Sequence, residues 1–282
     1  MTAAREIGGL GEIADRYDVF LFDQYGVLHD GQRPYAGTVA VLSRLLAQGA
    51  RCVVVTNSGK RSDANRERLA RLGIARALYS DLVSSGEVAW SGIRDGSFGR
   101  PFAAGGRAFI VGRAGDSYGF DDLGLVPVEQ PAHADFILIL GSDAPATSLD
   151  RYGRLLQPAA EIGLPALCCN PDRMMLTVHG PVPAPGAIAE VYASLGGPVR
   201  WIGKPYPEIY RAALGLAGNP PPSRVLALGD SIEHDIVGAA GLGLATALVR
   251  TGILAEIGLA EIKARCASAR CEPDWILPQL KW

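Results

Sequence analysis

Four polar side chains stand just past apolar runs, each at the start of a turn. Asp23 follows VFLF at 19–22, Thr56 follows RCVVV at 51–55, Lys204 follows Trp201-Ile202-Gly203, and Asp230 follows RVLALG at 224–229. Apolar runs of this length read as buried parallel strands, and the carboxyl ends of parallel strands open on one crevice. Two carboxylates, a hydroxyl and an ammonium gathered there suit phosphoryl transfer. The carboxylates can hold a divalent cation through hard oxygens. The hydroxyl, nearby backbone amides and the ammonium can neutralise phosphate oxygens. Asp23, with Gly26 turning the chain behind it, is also placed as an oxygen nucleophile. Each position has a plainer reading as well. Asp230 could cap a helix, Thr56 could end a strand, and Lys204 could be a solvated surface charge.

The elements that would position these groups alternate. Residues 19–23 and 51–56 read as strands, 36–49 and 62–72 as helices closed by Gly49 and Gly73. The same β-α grammar restarts with strand-like runs at 108–112, 134–141 and 164–169 and a helix at 148–162. It resumes with helices at 187–195, 207–216 and 236–242 and strands at 224–228 and 244–249. The expected fold is α/β: a doubly wound, Rossmann-like parallel sheet with a second α/β domain inserted. The expected division is 1–83 and 184–282 for the first domain and 84–183 for the insert.

Bulk composition narrows the function. The chain has 282 residues and a net charge of −2, with 27 basic and 29 acidic residues. Such a balance gives no field for nucleic acid or an anionic membrane. No apolar run approaches the ~20 residues of a membrane span, and residues 1–18 show no signal-peptide centre. Five cysteines, two of them adjacent at Cys168 and Cys169, fit reduced thiols better than a disulfide framework. The expectation is a cytoplasmic protein. No G-x-G-x-x-G follows the first strand, which argues against dinucleotide binding.

Four ordered motifs carry a family resemblance across nearly the whole chain. They are Asp23-Gln24-Tyr25-Gly26-Val27-Leu28, Val54-Val55-Thr56-Asn57-Ser58, Gly203-Lys204-Pro205 and Leu228-Gly229-Asp230-Ser231 with Asp235 beyond. Asn170-Pro171-Asp172, Gly180-Pro181-Val182-Pro183 and Leu248-Val249-Arg250-Thr251-Gly252 match too. The chain resembles the haloacid dehalogenase (HAD) superfamily hydrolases of class IIA, the NagD-like type, with an inserted α/β cap. The resemblance implies that Asp23 is the nucleophile forming an aspartyl-phosphate. It implies that Asp23, the Tyr25 backbone carbonyl, Asp230 and Asp235 hold Mg²⁺, with Asp235 acting through water or as a support. Thr56 and the Asn57 amide are then phosphate donors, and Lys204 pairs Asp23 with the phosphate. Asn170 and Asp172 lie in the cap segment expected to set specificity.

Tyr25 departs from the pattern. Most family phosphatases carry there an Asp that protonates the leaving oxygen and later activates water. A phenol with a reference pKa of about 10 is a poor base at neutral pH. His29 and Asp30 could compensate in part, and His234 and His179 are further candidates with a plainer structural reading. Lys60-Arg61 could hold a second anionic group or open a solvated helix. The expected activity is Mg²⁺-dependent hydrolysis of a small phosphorylated metabolite, with acid–base help weakened by Tyr25. The alternative is a weak or inactive member that binds a phosphorylated ligand as a sensor. A homodimer is the expected assembly by analogy with capped enzymes of this size.

Overall fold

The computed structural model describes residues 4–177 and 180–282. In chain order its elements are β1 (Arg5–Glu6), β2 (Val19–Asp23), α1 (Thr38–Ala47), β3 (Arg51–Thr56), α2 (Ser62–Arg71), β4 (Asp81–Ser84), α3 (Ser85–Arg94), β5 (Arg107–Val111), β6 (Val126–Pro127), β7 (Phe136–Ile139), α4 (Leu149–Glu161), β8 (Ala166–Cys168), β9 (Met174–Thr177), β10 (Gly180–Pro183), α5 (Pro185–Ser194), β11 (Val199–Trp201), α6 (Pro207–Leu216), β12 (Val225–Gly229), α7 (Val237–Ala240), β13 (Ala245–Val249), α8 (Leu259–Ala269) and β14 (Trp275–Leu277). They form two compact units. One comprises Met1–Thr56, Asp63–Val83 and Lys204–Trp282; the other comprises Asn57–Ser62 and Ser84–Gly203.

The first unit is built on a seven-stranded sheet in the order β1-β14-β13-β12-β2-β3-β4. The central strands pair in parallel, with Phe22 opposite Val54 and Leu228, and Asp23 opposite Val55. β2 and β12 are apolar at successive positions because both sheet faces are covered. Phe20, Phe22, Val54, Leu226 and Leu228 meet Val41, Leu42 and Leu45 of α1 in one buried cluster. Burying a side chain of this size is worth roughly 1.5–3 kcal/mol. That cluster fixes the strand ends on which the polar groups stand. α1 ends where Gly49 turns the chain with φ +81°, a value few other residues adopt cheaply.

The second unit holds a five-stranded sheet, β11-β8-β7-β5-β6, with parallel pairing throughout. α4 and α5 cover one face through Tyr152, Leu156, Ile188 and Tyr192. Ala89, Trp90 and Ile93 of α3 cover the other with Phe102 and Phe120. β9 and β10 form a separate antiparallel hairpin.

Two expectations need correction. The insert does not end at residue 183. β11 pairs with β8, α5 packs on the second core, and the Tyr192 hydroxyl donates to the Leu164 carbonyl. The chain returns to the first unit only at Lys204. For the same reason the apolar run before Lys204 is a strand of the second sheet, so Lys204 does not sit at the end of a strand of the sheet carrying Asp23. Among the described residues no helix is long and apolar enough to cross a membrane.

Candidate active site

In the first unit the chain runs outward from β2 to β3 and β4, then resumes at β12 on the other side of β2. The reversal between β2 and β12 leaves a crevice outside their carboxyl ends, the usual ligand position in such sheets. Asp23 and Asp230 stand at those two ends. Lys204 Nζ lies 2.6 Å from Asp23 Oδ1 and 2.7 Å from Asp235 Oδ1. The Gln24 amide donates to Asp23 Oδ1 at 2.6 Å. Asp235 Oδ2 accepts from the Ser231 amide at 3.1 Å. Ser231 also opens the helical turn 232–236 that carries Asp235, its hydroxyl accepting from the His234 amide. Carboxylate oxygens of Asp23, Asp230 and Asp235 all lie within 4.8 Å of one another.

Asp230 is held from a third direction. Its Oδ2 accepts from the Ile253 amide at 2.9 Å. The Thr251 hydroxyl donates to the Gly26 carbonyl, tying the loop after β13 to the turn behind Asp23. A Cβ on Gly26 would come within 2.1 Å of Asp230 Oδ2, and one on Gly252 within 1.8 Å. Both glycines have φ in the left-handed range, +88° and +56°. They are glycine for two reasons, backbone conformation and carboxylate clearance. Thr251 and Gly252 belong to a stretch that carries the family resemblance and Ile253 lies just beyond it, but their types give no reason to assign them a role. The glycine after an apolar run was the only available signal.

The electrostatics call for a cation. Three carboxylates face a single ammonium, and all are withdrawn from solvent. Burial, then the charges of Asp23 and Asp235, push the Asp230 carboxyl well above its ordinary range. The charges of Asp23 and Asp235 outweigh burial at Lys204 and hold its ammonium protonated. A hard divalent ion fits this oxygen set and would reverse the penalty on Asp230.

The turn after Asp23 resolves the part played by His29. The side chain is fully buried, and its pKa falls to about 4, chiefly through burial. The Gly31 amide donates to Nδ1 at 2.9 Å, so the ring hydrogen sits on Nε2. Nε2 lies 3.2 Å from the Gln24 side-chain amide. As placed, the Gln24 nitrogen faces Nε2 and its buried oxygen has no partner; exchanging the two would give Nε2–H an acceptor and satisfy that oxygen. The Tyr25 ring stands edge-on to His29, centroids 5.7 Å apart. His29 is therefore a structural residue of the turn. Asp30 is also occupied, accepting from the Gln32 and Arg33 amides at 2.8 Å. Burial raises the Tyr25 phenol above its usual value, further from service as a base.

The remaining candidates divide between the units. Thr56 ends β3, buried and one residue beyond the pair Asp23–Val55. Asn57 belongs to the second unit. Its Nδ2 donates to Asp172 Oδ1 at 2.7 Å, and Asn170 Oδ1 accepts from the Asp172 amide at 2.9 Å. Asn57, Asn170 and Asp172 thus form one network. Lys60 and Arg61 do not open a solvated helix face. Lys60 pairs with Asp116 at 2.9 Å, while Arg61 pairs with Glu87 and lies 3.5 Å over the Trp90 ring. Cys168 and Cys169 are fully buried with thiols pushed up by burial, as unreactive core residues are. His234 stacks its hydrogen bonds on Ser231. His179 lies outside the described residues.

Sequence comparison points the same way as this geometry. Residues 20–126 match the profile of the haloacid dehalogenase-like hydrolases, and residues 201–282 match a second HAD hydrolase-like profile. Mouse chronophin is 29% identical over 241 residues, covering 83% of this chain and 80% of its own length. A haloacid dehalogenase-like hydrolase from Brucella suis 1330 superposes with a TM-score of 0.82 at 28% identity, covering 97% and 99% of the two chains. A magnesium complex of glycerol phosphate phosphatase from Mycobacterium tuberculosis superposes with a TM-score of 0.69 at 26% identity, covering 94% of this chain and 76% of that one. With its carboxylates at the reversal point of a parallel sheet and a second α/β unit interrupting that sheet's sequence, this chain belongs to the haloacid dehalogenase-like hydrolases, class IIA.

Proposed function

We propose that the chain is a Mg²⁺-dependent phosphatase of small phosphorylated metabolites, working through an aspartyl-phosphate on Asp23. The observation that carries this reading is the buried contact of Lys204 with both Asp23 and Asp235, beside Asp230. Lys204 and the Gln24 amide fix one oxygen of Asp23 and so orient the carboxylate for in-line attack on phosphorus. The phosphorus–oxygen ester bond breaks as the aspartyl–phosphorus bond forms, and the leaving oxygen departs with its electron pair. Water then attacks the acyl phosphate and releases inorganic phosphate. Lys204, the Thr56 hydroxyl and the Asn57 amide supply positive charge and hydrogen bonds to the phosphate oxygens. Asp23, Asp230 and the Tyr25 carbonyl would hold Mg²⁺, which when bound neutralises charge on the phosphoryl group. Asp235 is already committed to Lys204 and the Ser231 amide, so it serves as a support or acts through water.

A screen of phosphorylated metabolites with Mg²⁺, run beside Asp23→Asn, tests the proposal. Phosphate release by the native chain and none by the variant is expected. No release from any substrate would overturn it. Tyr25, with His29 locked away, favours a second reading in which the chain binds a phosphorylated ligand without turning it over. Tight binding with no release, even in Tyr25→Asp, would establish that reading instead.

A further inference from the structure

The second unit has a reversal point of its own. Its chain runs outward from β5 to β6, then returns to the other side of β5 to form β7. Outside the carboxyl ends of β5 and β7 lies a crevice of ≈ 670 Å³. Sites for small molecules measure about 300–1,000 Å³ and sit at such reversal points. The walls are the loop after β5, the loop after β7 and the first two turns of α4.

The crevice is built rather than incidental. The Tyr118 ring lies across both strand ends, where residues 112 and 141 have no side chain. A Cβ on Gly141 would come within 1.9 Å of the Tyr118 hydroxyl oxygen, and one on Gly112 within 2.8 Å of the ring. Two tyrosine hydroxyls are fixed by backbone donors: Tyr118 accepts from the Arg113 amide at 2.9 Å and Tyr152 from the Asp143 amide at 3.0 Å. Each keeps its own O–H for a ligand. Ile110 and Leu155 leave apolar surface open in the lining, 38% and 41% exposed.

Charge completes the pattern. Arg113 comes from the loop after β5 and Arg151 from the first turn of α4, and neither pairs with a carboxylate among the described residues. Asp116 is held by Lys60 at 2.9 Å. Asp121 and Asp143 also line the space and would repel a second anionic group. We propose that this crevice is a second ligand site, taking a small organic molecule with one anionic group and a flat apolar body. Arg113 and Arg151 would grip the anionic group, as paired guanidinium groups do. The body would lie between the Tyr118 ring and Leu155.

Naphthalene-2-sulfonate tests this without offering a phosphate to the Asp23 site. The full chain is titrated in Mg²⁺, with methyl resonances and heat followed together. Saturable one-to-one binding is expected, with shifts at Ile110, Leu140 and Leu155. The Arg113→Gln/Arg151→Gln double variant should bind at least ten-fold more weakly. Ala114→Trp, which fills the crevice from an exposed loop position, should abolish binding; both variants should keep the native thermal midpoint. Absence of saturable shifts at these methyls would overturn the proposal, as would affinity unchanged in both variants.

Discussion

The Lys204 ammonium touches the Asp23 carboxylate at 2.6 Å with side-chain exposures of only 4% and 12%. Removing one partner of a buried pair typically costs about 3–5 kcal/mol, because the other charge is left uncompensated. Here the loss is larger in kind, since Asp235 and Asp230 share the same ammonium's field. Lys204→Met should therefore lower the thermal midpoint in the absence of Mg²⁺. Adding Mg²⁺ should recover more stability in the variant than in the native chain. Turnover should fall by about 10²–10³, the usual effect of deleting one electrostatic donor. Thermal melts with and without Mg²⁺, beside phosphate-release assays, read both effects. An unchanged midpoint would show that Lys204 does not neutralise the cluster.

Gly252 offers a matched pair of substitutions. Its φ is +56°, and a Cβ there would collide with Asp230 Oδ2 at 1.8 Å. Gly243 has φ +72° but open space around its Cβ position. Both alanine variants should lose about 1–2 kcal/mol through left-handed backbone strain. Only Gly252→Ala should also displace Asp230 and weaken Mg²⁺-dependent stabilisation. Equal Mg²⁺ responses in the two variants would remove the loop after β13 from any part in positioning Asp230.

How much of this was legible in the sequence depends on whether a feature is local. Asp23, Thr56 and Asp230 follow apolar runs that can only be buried strands, so their place at the sheet's carboxyl edge follows from order along the chain. Lys204 misleads by the same logic. The run before it is a strand, but one that pairs with β8, and nothing in its own residues tells which sheet it joins. The boundary of the insert was misplaced for that reason. The hold of Ile253 and Thr251 on Asp230 and Gly26 was illegible, because it is made by a backbone amide and a hydroxyl across 23 and 225 residues. Likewise Lys60 and Arg61 look solvated until Asp116 and Glu87 arrive from elsewhere in the chain.

His29 makes a prediction about stability and acidity. Its folded pKa is about 4, against an ordinary value of 6.5. Above the ordinary value the ring is neutral in both folded and unfolded chains, and contributes no pH dependence. Between 6.5 and about 4 the unfolded chain takes up a proton that the folded chain refuses, so stability falls as pH falls. The full effect of such a shift is on the order of 3 kcal/mol. Urea denaturation at several pH values across that window should show the slope in the native chain and a shallower one in His29→Gln. Identical slopes would mean that another group carries the acid sensitivity.

Tyr25 sets a prediction about leaving groups. Burial and Asp30 raise the phenol's pKa, and His29 is held in the turn, so neither offers a base at neutral pH. An alkyl phosphate needs a proton delivered to its leaving oxygen, whereas 4-nitrophenolate departs without one. The native chain should therefore favour the aryl ester over an alkyl ester by a wide margin. Tyr25→Asp restores a carboxylate at the acid–base position, and such help is worth about 10²–10⁴-fold where the reaction needs it. The gain should fall on kcat for the alkyl phosphate and be much smaller for 4-nitrophenyl phosphate, narrowing the ratio between them. Parallel rate measurements on the two esters with native and variant chains decide the point. Equal gains on both esters would place the limit in the step they share, attack of water on the aspartyl-phosphate, where the new carboxylate acts as base; an unchanged ratio with no gain would show that proton transfer does not limit this site.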